Sequence, residues 1–265
     1  MNEINYIEKN KAAWNSRTDH HFTSSFYDVE GFLRGKNSLN DIELKLLQDV
    51  TGKNILHLQC HFGQDTISLA RMGAHVTGID LSDNAINKAK ELAKNANVNA
   101  IFICCDIYDL PKHLDKQFDI VFTSYGTIGW FPDLSKWAGV VAKFLKPGGK
   151  FIFAEFHPVV WMFDNDFEKV AYTYAKSEPI IETEQGTYAD KSAPITTEMI
   201  TWNHSMSEVI TSLLQHGLEI NSFEEFDYSP YNCFNKTIEF EPGKFRIEHF
   251  GNKIPMVYSL SATKK

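Results

Sequence analysis

Asp80 closes the β-branched run HVTGIDLS, downstream of the short apolar run NILHLQC. Between them, QDTISLARMGA places Ile67, Leu69, Ala70 and Met72 close to helical spacing and stops at Gly73. The stretch 54–82 therefore reads as strand, tight loop, helix, strand, a βαβ unit. An acid at the tip of the second strand, after a loop that opens a helix, is an arrangement that holds a nucleoside ribose. Its carboxylate accepts hydrogen bonds from two hydroxyls while the loop backbone approaches the rest of the ligand. The expected ligand is a nucleoside-containing small molecule. The competing role for Asp80 is helix capping, which Ser82 or Asp83 could also supply.

Strand–helix alternation continues along the chain. Strands are expected over 54–60, 75–81, 100–106, 118–125 and 150–156, and helices over Asp83–Asn95 and 134–145. LKPGG ends the second helix, because Pro cannot continue it and Gly can take positive φ. The pattern implies an α/β fold with a doubly wound, mostly parallel sheet. Residues 1–50 read as an N-terminal helical lid. Ile4, Ile7, Ala12 and Trp14 suggest one helix and Asn40 caps a second, with a polar and aromatic stretch between. Residues 54–157 form the ligand-binding core. Residues 158–203 hold no clear long helix and one strand candidate, TTEMITW, and read as an inserted cap. Residues 204–265 complete the sheet with a helix near 207–216, a strand over Leu218–Phe226, an irregular stretch 227–252 and a final strand over 255–263. The whole is expected to be one domain.

Bulk properties narrow the classes. A hydrophobic content of 43% supports a real core. A formal charge of -8 argues against a general nucleic-acid binder, which needs a basic surface. No apolar run approaches the ~18 residues of a membrane span. The polar start MNEINYIEKNKAAW is not a secretory signal, and Cys60, Cys104, Cys105 and Cys233 lack disulfide-framework spacing. A reduced, cytoplasmic protein with a small-molecule partner is expected; oligomeric state is not readable.

With these elements in place, the chain resembles the class I S-adenosylmethionine-dependent methyltransferases. The resemblance is clear over roughly 54–156 and looser beyond. LHLQCHFGQ stands at the family's glycine-rich loop and Asp80 at its ribose-binding acid. CCDIYDLP puts Asp106 at the family's acid near the adenine amino group. FDIVFTSYG and LKPGGKFIFAE match the fourth strand and the run into the fifth. The resemblance implies a Rossmann-like fold with an antiparallel last strand, and S-adenosylmethionine as cofactor. It implies cofactor contacts from Gln59, Cys60, His61, Gly63, Asp80 and Asp106, with Leu81 and Ile107 flanking the adenine. Ser124 and Tyr125 would line the methyl-transfer side.

One departure stands out. Where the family has acid-x-Gly-x-Gly-x-Gly, this chain has His57, Gln59, His61 and Gly63. A branch of the family with LHLQCHFGQDT looks similar. Gln59 and His61 must either take ordinary φ or leave a wider loop. The missing acid at His57 removes a usual neighbour of the cofactor's amino group.

Other residues leave two readings open. His157 is a general-base candidate or a structural histidine before a Pro turn. Arg34 pairs with the cofactor carboxylate or is a solvated surface residue. His204 caps the last helix or faces the pocket. His57, Cys60 and His61 form a poor metal set, since strand alternation sends His57 and Cys60 to opposite faces. The dense aromatic set from Trp130 to Trp202 supplies core and pocket lining.

The leading reading is an enzyme, a methyltransferase acting on an O, N or C nucleophile of a small molecule. A nicotinamide-dependent dehydrogenase would need Gly-x-Gly-x-x-Gly after the first strand, which is absent. A non-catalytic cofactor-binding module is the remaining competitor.

Overall fold

The computed structural model describes residues 5–265. Ile4 of the expected first helix lies outside them. A seven-stranded sheet is built from β1 (Asn54–Leu58), β2 (His75–Asp80), β3 (Ile101–Cys104), β4 (Phe118–Ser124), β5 (Leu145–Phe156), β8 (Leu218–Phe226) and β11 (Val257–Lys264). The order is β3-β2-β1-β4-β5-β11-β8. β11 runs antiparallel to both its neighbours, and the pairs from β3 to β5 are parallel. This is the doubly wound sheet the alternation implied, with its last strand reversed.

Strand periodicity explains the buried faces. On β1, Ile55 faces one core with Leu69, Val76, Ile120 and Phe122, while Leu56 and Leu58 face another with Trp137, Phe151 and Phe153. Both faces are covered, so β1 reads as a nearly continuous apolar run. The first side carries α3 (Asp41–Leu47) and α4 (Gln64–Arg71); α5 (Asp83–Asn95) packs on β2 and β3. The second side carries α6 (Leu134–Phe144) and α7 (Met206–Gln215).

The N-terminal region is more helical than its polarity suggested. α1 runs over Tyr6–Thr23 and α2 over Val29–Leu33, inside the stretch expected to be loose. The helical face of α1 is polar but buried, because tertiary partners receive it. Asn10 exchanges hydrogen bonds with the Ile200 backbone (2.8 and 2.9 Å), and Arg17 reaches Glu184 and Thr197. Those partners sit on the hairpin of β6 (Ile180–Gln185) and β7 (Thr196–Thr201), the regular part of the inserted cap. Asn40 caps α3 through a capping box with Glu43, as the sequence implied.

Two further expectations are corrected. β5 begins at Leu145, because Leu145 pairs with Phe118 and the KPGG segment bulges opposite Asp119 before pairing resumes at Lys150. Lys146 anchors the bulge on Asp119 (2.6 Å) and holds that carboxyl down at about 2. The stretch 227–252 contains a hairpin, β9 (Thr237–Glu241) and β10 (Lys244–Ile247), which alternation alone did not reveal.

Candidate active site

A cavity of about 1090 Å³ opens at the carboxyl ends of β1, β2 and β4, the switch point where strand order reverses. Helix α1, the cap hairpin and the segment 230–235 roof it. Its wall includes Gln59, Cys60, His61, Gly63, Asp80, Leu81, Asp106, Ile107, Ser124 and Tyr125, so all ten residues the resemblance pointed to converge there.

The loop after β1 takes left-handed backbone at two non-glycine residues and at Gly63. Gln59 (φ 55°) and His61 (φ 49°) both adopt left-handed backbone, which overturns the expectation of ordinary φ. Each conformation costs a non-glycine residue energy, and neighbours hold it in place. Gln59 Nε2 donates to the Thr127 carbonyl (2.7 Å), and the His61 amide donates to Asp80 Oδ2 (2.8 Å). His21 on α1 meets His61 ring to ring (2.9 Å). Gly63 has no substitute: at φ 79° its Cβ would stand 2.7 Å from the Phe102 ring.

Asp80 projects from the end of β2. Oδ2 takes the His61 amide and Oδ1 the Ser82 amide (2.8 Å), and each oxygen keeps acceptor capacity for a hydroxyl. Burial raises its carboxyl to about 6, against those amides, so it is ionised at neutral pH. Ser82 caps α5, so the capping alternative does not consume Asp80. Asp106 lines the cavity and also takes the Tyr108 amide (2.6 Å), capping a 3-10 turn. Leu81 and Ile107 lie beside these acids on the wall.

His57 borders the cavity, with its ring engaged by α4 and β4. Nδ1 meets Thr66 Oγ1 (2.8 Å) and the ring rests on Phe122. Burial holds its pKa down at about 3, so it is neutral. Among the described residues no cluster of His, Cys, Asp or Glu could hold a metal.

Two expectations fail on geometry. Arg34 is 71% exposed and pairs with Glu30, outside the cavity; its place at the end of short α2 points it to solvent. His157 is buried outside the cavity, with Nε2 on Glu225 (2.9 Å) and Nδ1 accepting the Val159 amide (3.2 Å). Both nitrogens are committed, which is the structural role. His204 fulfils the pocket reading: it lines the cavity and bonds the Phe131 carbonyl, while Ser205 caps α7.

Sequence reading missed the residues that act by convergence. Glu155 is the penultimate residue of β5, and its carboxylate collects the amides of Gly126, Thr127, Ile128 and Phe156 and the Thr127 hydroxyl. It thereby shapes the loop that lines the cavity after β4. Glu43, fully buried, accepts the Tyr125 hydroxyl (2.8 Å); its capping box was visible in Asn40-x-x-Glu43, its reach to Tyr125 was not.

This wall suits S-adenosylmethionine. It offers Asp80 for ribose hydroxyls and apolar Leu81 and Ile107 for a planar base. It also contains two buried polar atoms without protein partners, Gln59 Oε1 and His61 Nδ1. The volume suffices for a nucleoside ligand and a small second molecule.

Residues 55–149 match a family model described as Methyltransferase domain. Over 156 residues the chain is 30% identical to the ubiquinone biosynthesis O-methyltransferase of Coxiella burnetii, covering 58% of this chain and 63% of that protein. The chain thus spans less than two thirds of that relative. The protein of the same name from Pseudoalteromonas translucida is 25% identical over 212 residues, covering 77% and 81%. Among solved structures, a putative S-adenosylmethionine dependent methyltransferase from Listeria monocytogenes superposes with TM-score 0.56 at 22% identity, covering 83% of this chain and 95% of that one. Geranyl diphosphate C-methyltransferase from Streptomyces coelicolor A3(2) gives TM-score 0.61 at 14% identity, covering 99% of each. The fold is that of the class I S-adenosylmethionine-dependent methyltransferases. Residues 55–149 thus resemble a methyltransferase domain, set in a fold shared with those solved structures.

Proposed function

We propose that this chain transfers a methyl group from S-adenosylmethionine to an O, N or C nucleophile of a small molecule. The carrying observation is Asp80: a carboxylate fixed by the His61 and Ser82 amides at the switch point, beside an apolar wall. When bound, the cofactor supplies a methyl carbon already activated by positive sulfur. The protein's task is then to hold the nucleophile in line and keep water out. α1 and the cap hairpin, tied together through Asn10 and Arg17, close the roof. Trp130, Trp161 and Tyr231 give the substrate side an aromatic lining.

A nucleophile that arrives protonated needs a proton acceptor. Tyr125 lines the cavity and donates to Glu43, whose carboxyl burial raises to about 7. The phenol oxygen can receive the substrate proton as its own passes to Glu43 Oε2. A carboxylate poised near neutrality suits that role. The relatives named as O-methyltransferases make hydroxylated substrates the first to screen.

Calorimetric titration with S-adenosylmethionine and S-adenosylhomocysteine, beside Asp80→Ala, tests the cofactor reading. Micromolar binding that the variant loses supports it; no binding to the unaltered chain overturns it.

A further inference from the structure

Asp65 occupies an unusual electrostatic position. It sits in the first turn of α4, lines the cavity, and has the hydroxyls of Ser38 and of Ser124 at the end of β4 as polar neighbours (Ser124 Oγ to Oδ2, 3.4 Å). No ion pair among the described residues includes it. The cations on the cavity wall are committed elsewhere: Arg17 to Glu184, Lys36 to Asp28, and Lys191 to Asn235. The imidazoles of His57 and His61 on the same wall have their pKa values lowered by burial. Hydroxyls alone compensate a partly buried carboxylate poorly, and desolvation raises the Asp65 pKa accordingly.

Strand order determines which part of the cofactor reaches this point. Asp80 on β2 and Asp106 after β3 take the nucleoside half. The amino-acid half then extends over β1 towards the end of β4, where Ser124 and Asp65 stand. At the end of β1 there is no acid to receive it, because His57 is neutral and turned onto Thr66 and Phe122.

We infer that Asp65, from helix α4, supplies the counter-charge for the α-ammonium group of S-adenosylmethionine. It replaces the carboxylate that β1 lacks. The inference rests on the cofactor reading above and adds one residue to it. Binding moves no bond: an ammonium N–H donates to Asp65 Oδ1 or Oδ2, and the pair neutralises two charges that burial otherwise penalises.

A carboxylate in the first turn of a helix also favours the helix dipole, so the test must separate binding from stability. S-adenosylhomocysteine and 5′-methylthioadenosine share the adenosine and the thioether, and only the former carries the ammonium. Both are titrated calorimetrically into the unaltered chain and into Asp65→Asn, with melting temperatures recorded without ligand. The expected result is S-adenosylhomocysteine affinity weakened about tenfold or more, with 5′-methylthioadenosine affinity within about twofold. Three results overturn the assignment: equal loss for both ligands, which marks a structural role; undiminished S-adenosylhomocysteine affinity, which leaves Asp65 for an amine on the substrate; and a lowered melting temperature with both affinities intact. If the unaltered chain binds neither ligand, the cofactor reading itself falls.

Discussion

His21 Nδ1 and His61 Nε2 lie 2.9 Å apart, joining the N-terminal helix to the loop that follows the first strand. Both rings are held neutral by burial, so one donates its single N–H and the other accepts it. The contact locks a loop residue in left-handed backbone, and the amide of that same residue holds Asp80. The N-terminal helix and the loop after β1 are thus mechanically joined.

The first prediction follows from that pair. His21→Ala leaves His61 Nε2 buried without a partner, at a cost of about 1–3 kcal/mol. S-adenosylhomocysteine affinity should fall about tenfold by calorimetry, because the loop that presents Asp80 loosens. His21→Gln, which keeps a donor and an acceptor, should recover most of the loss.

Gly78 lies in the middle of β2, beneath the cofactor loop. A Cβ there would stand 2.9 Å from Cys60 Sγ and 3.0 Å from both Phe102 and Thr66 Oγ1. Gly78→Ala should cost about 1–3 kcal/mol through overpacking, read as a lower melting temperature. Displacement of Cys60 should weaken S-adenosylhomocysteine binding in the same variant.

Acid stability carries a signature of His57. Its folded pKa of about 3 lies below the ~6.5 of an unfolded histidine. The unfolded chain therefore binds the extra proton between those values. The group's contribution is fully present above pH ~6.5 and is lost as pH falls, by about 1.4 kcal/mol per unit. His57→Gln keeps a partner for Thr66 and cannot titrate. In urea denaturation from pH 7.5 to 4.5, the stability of the unaltered chain relative to this variant should fall with that slope. Glu43, raised to about 7, and Asp80, raised to about 6, act in the opposite sense, losing stability as pH rises towards those values. They are present in both proteins and cancel in the difference.

Gln48 ends α3 at φ 54° and ψ -137°, exposed and away from the cavity. Only glycine enters that backbone region without strain, which costs other residues about 1–3 kcal/mol. Gln48→Gly should raise the urea midpoint by an amount equivalent to about 1 kcal/mol, with S-adenosylhomocysteine affinity unchanged.

The sequence by itself determined what is local. Alternating strand and helix periods defined the doubly wound sheet, and Leu218–Phe226 and Asp83–Asn95 have the bounds read from pattern and caps. Asp80 was legible because a strand-ending acid after a βα turn is a local signal. The α1 helix was read too short because its buried face is polar, and only its partners on the cap hairpin make that burial tolerable. Arg34 and His157 each kept two readings, because residue type and proximity to a strand end do not say where a side chain points. The tertiary structure alone brought His21 to His61, Glu43 to Tyr125 and Asp65 to Ser124. Each pair joins elements far apart in the chain, and such contacts form only when packing brings those elements together.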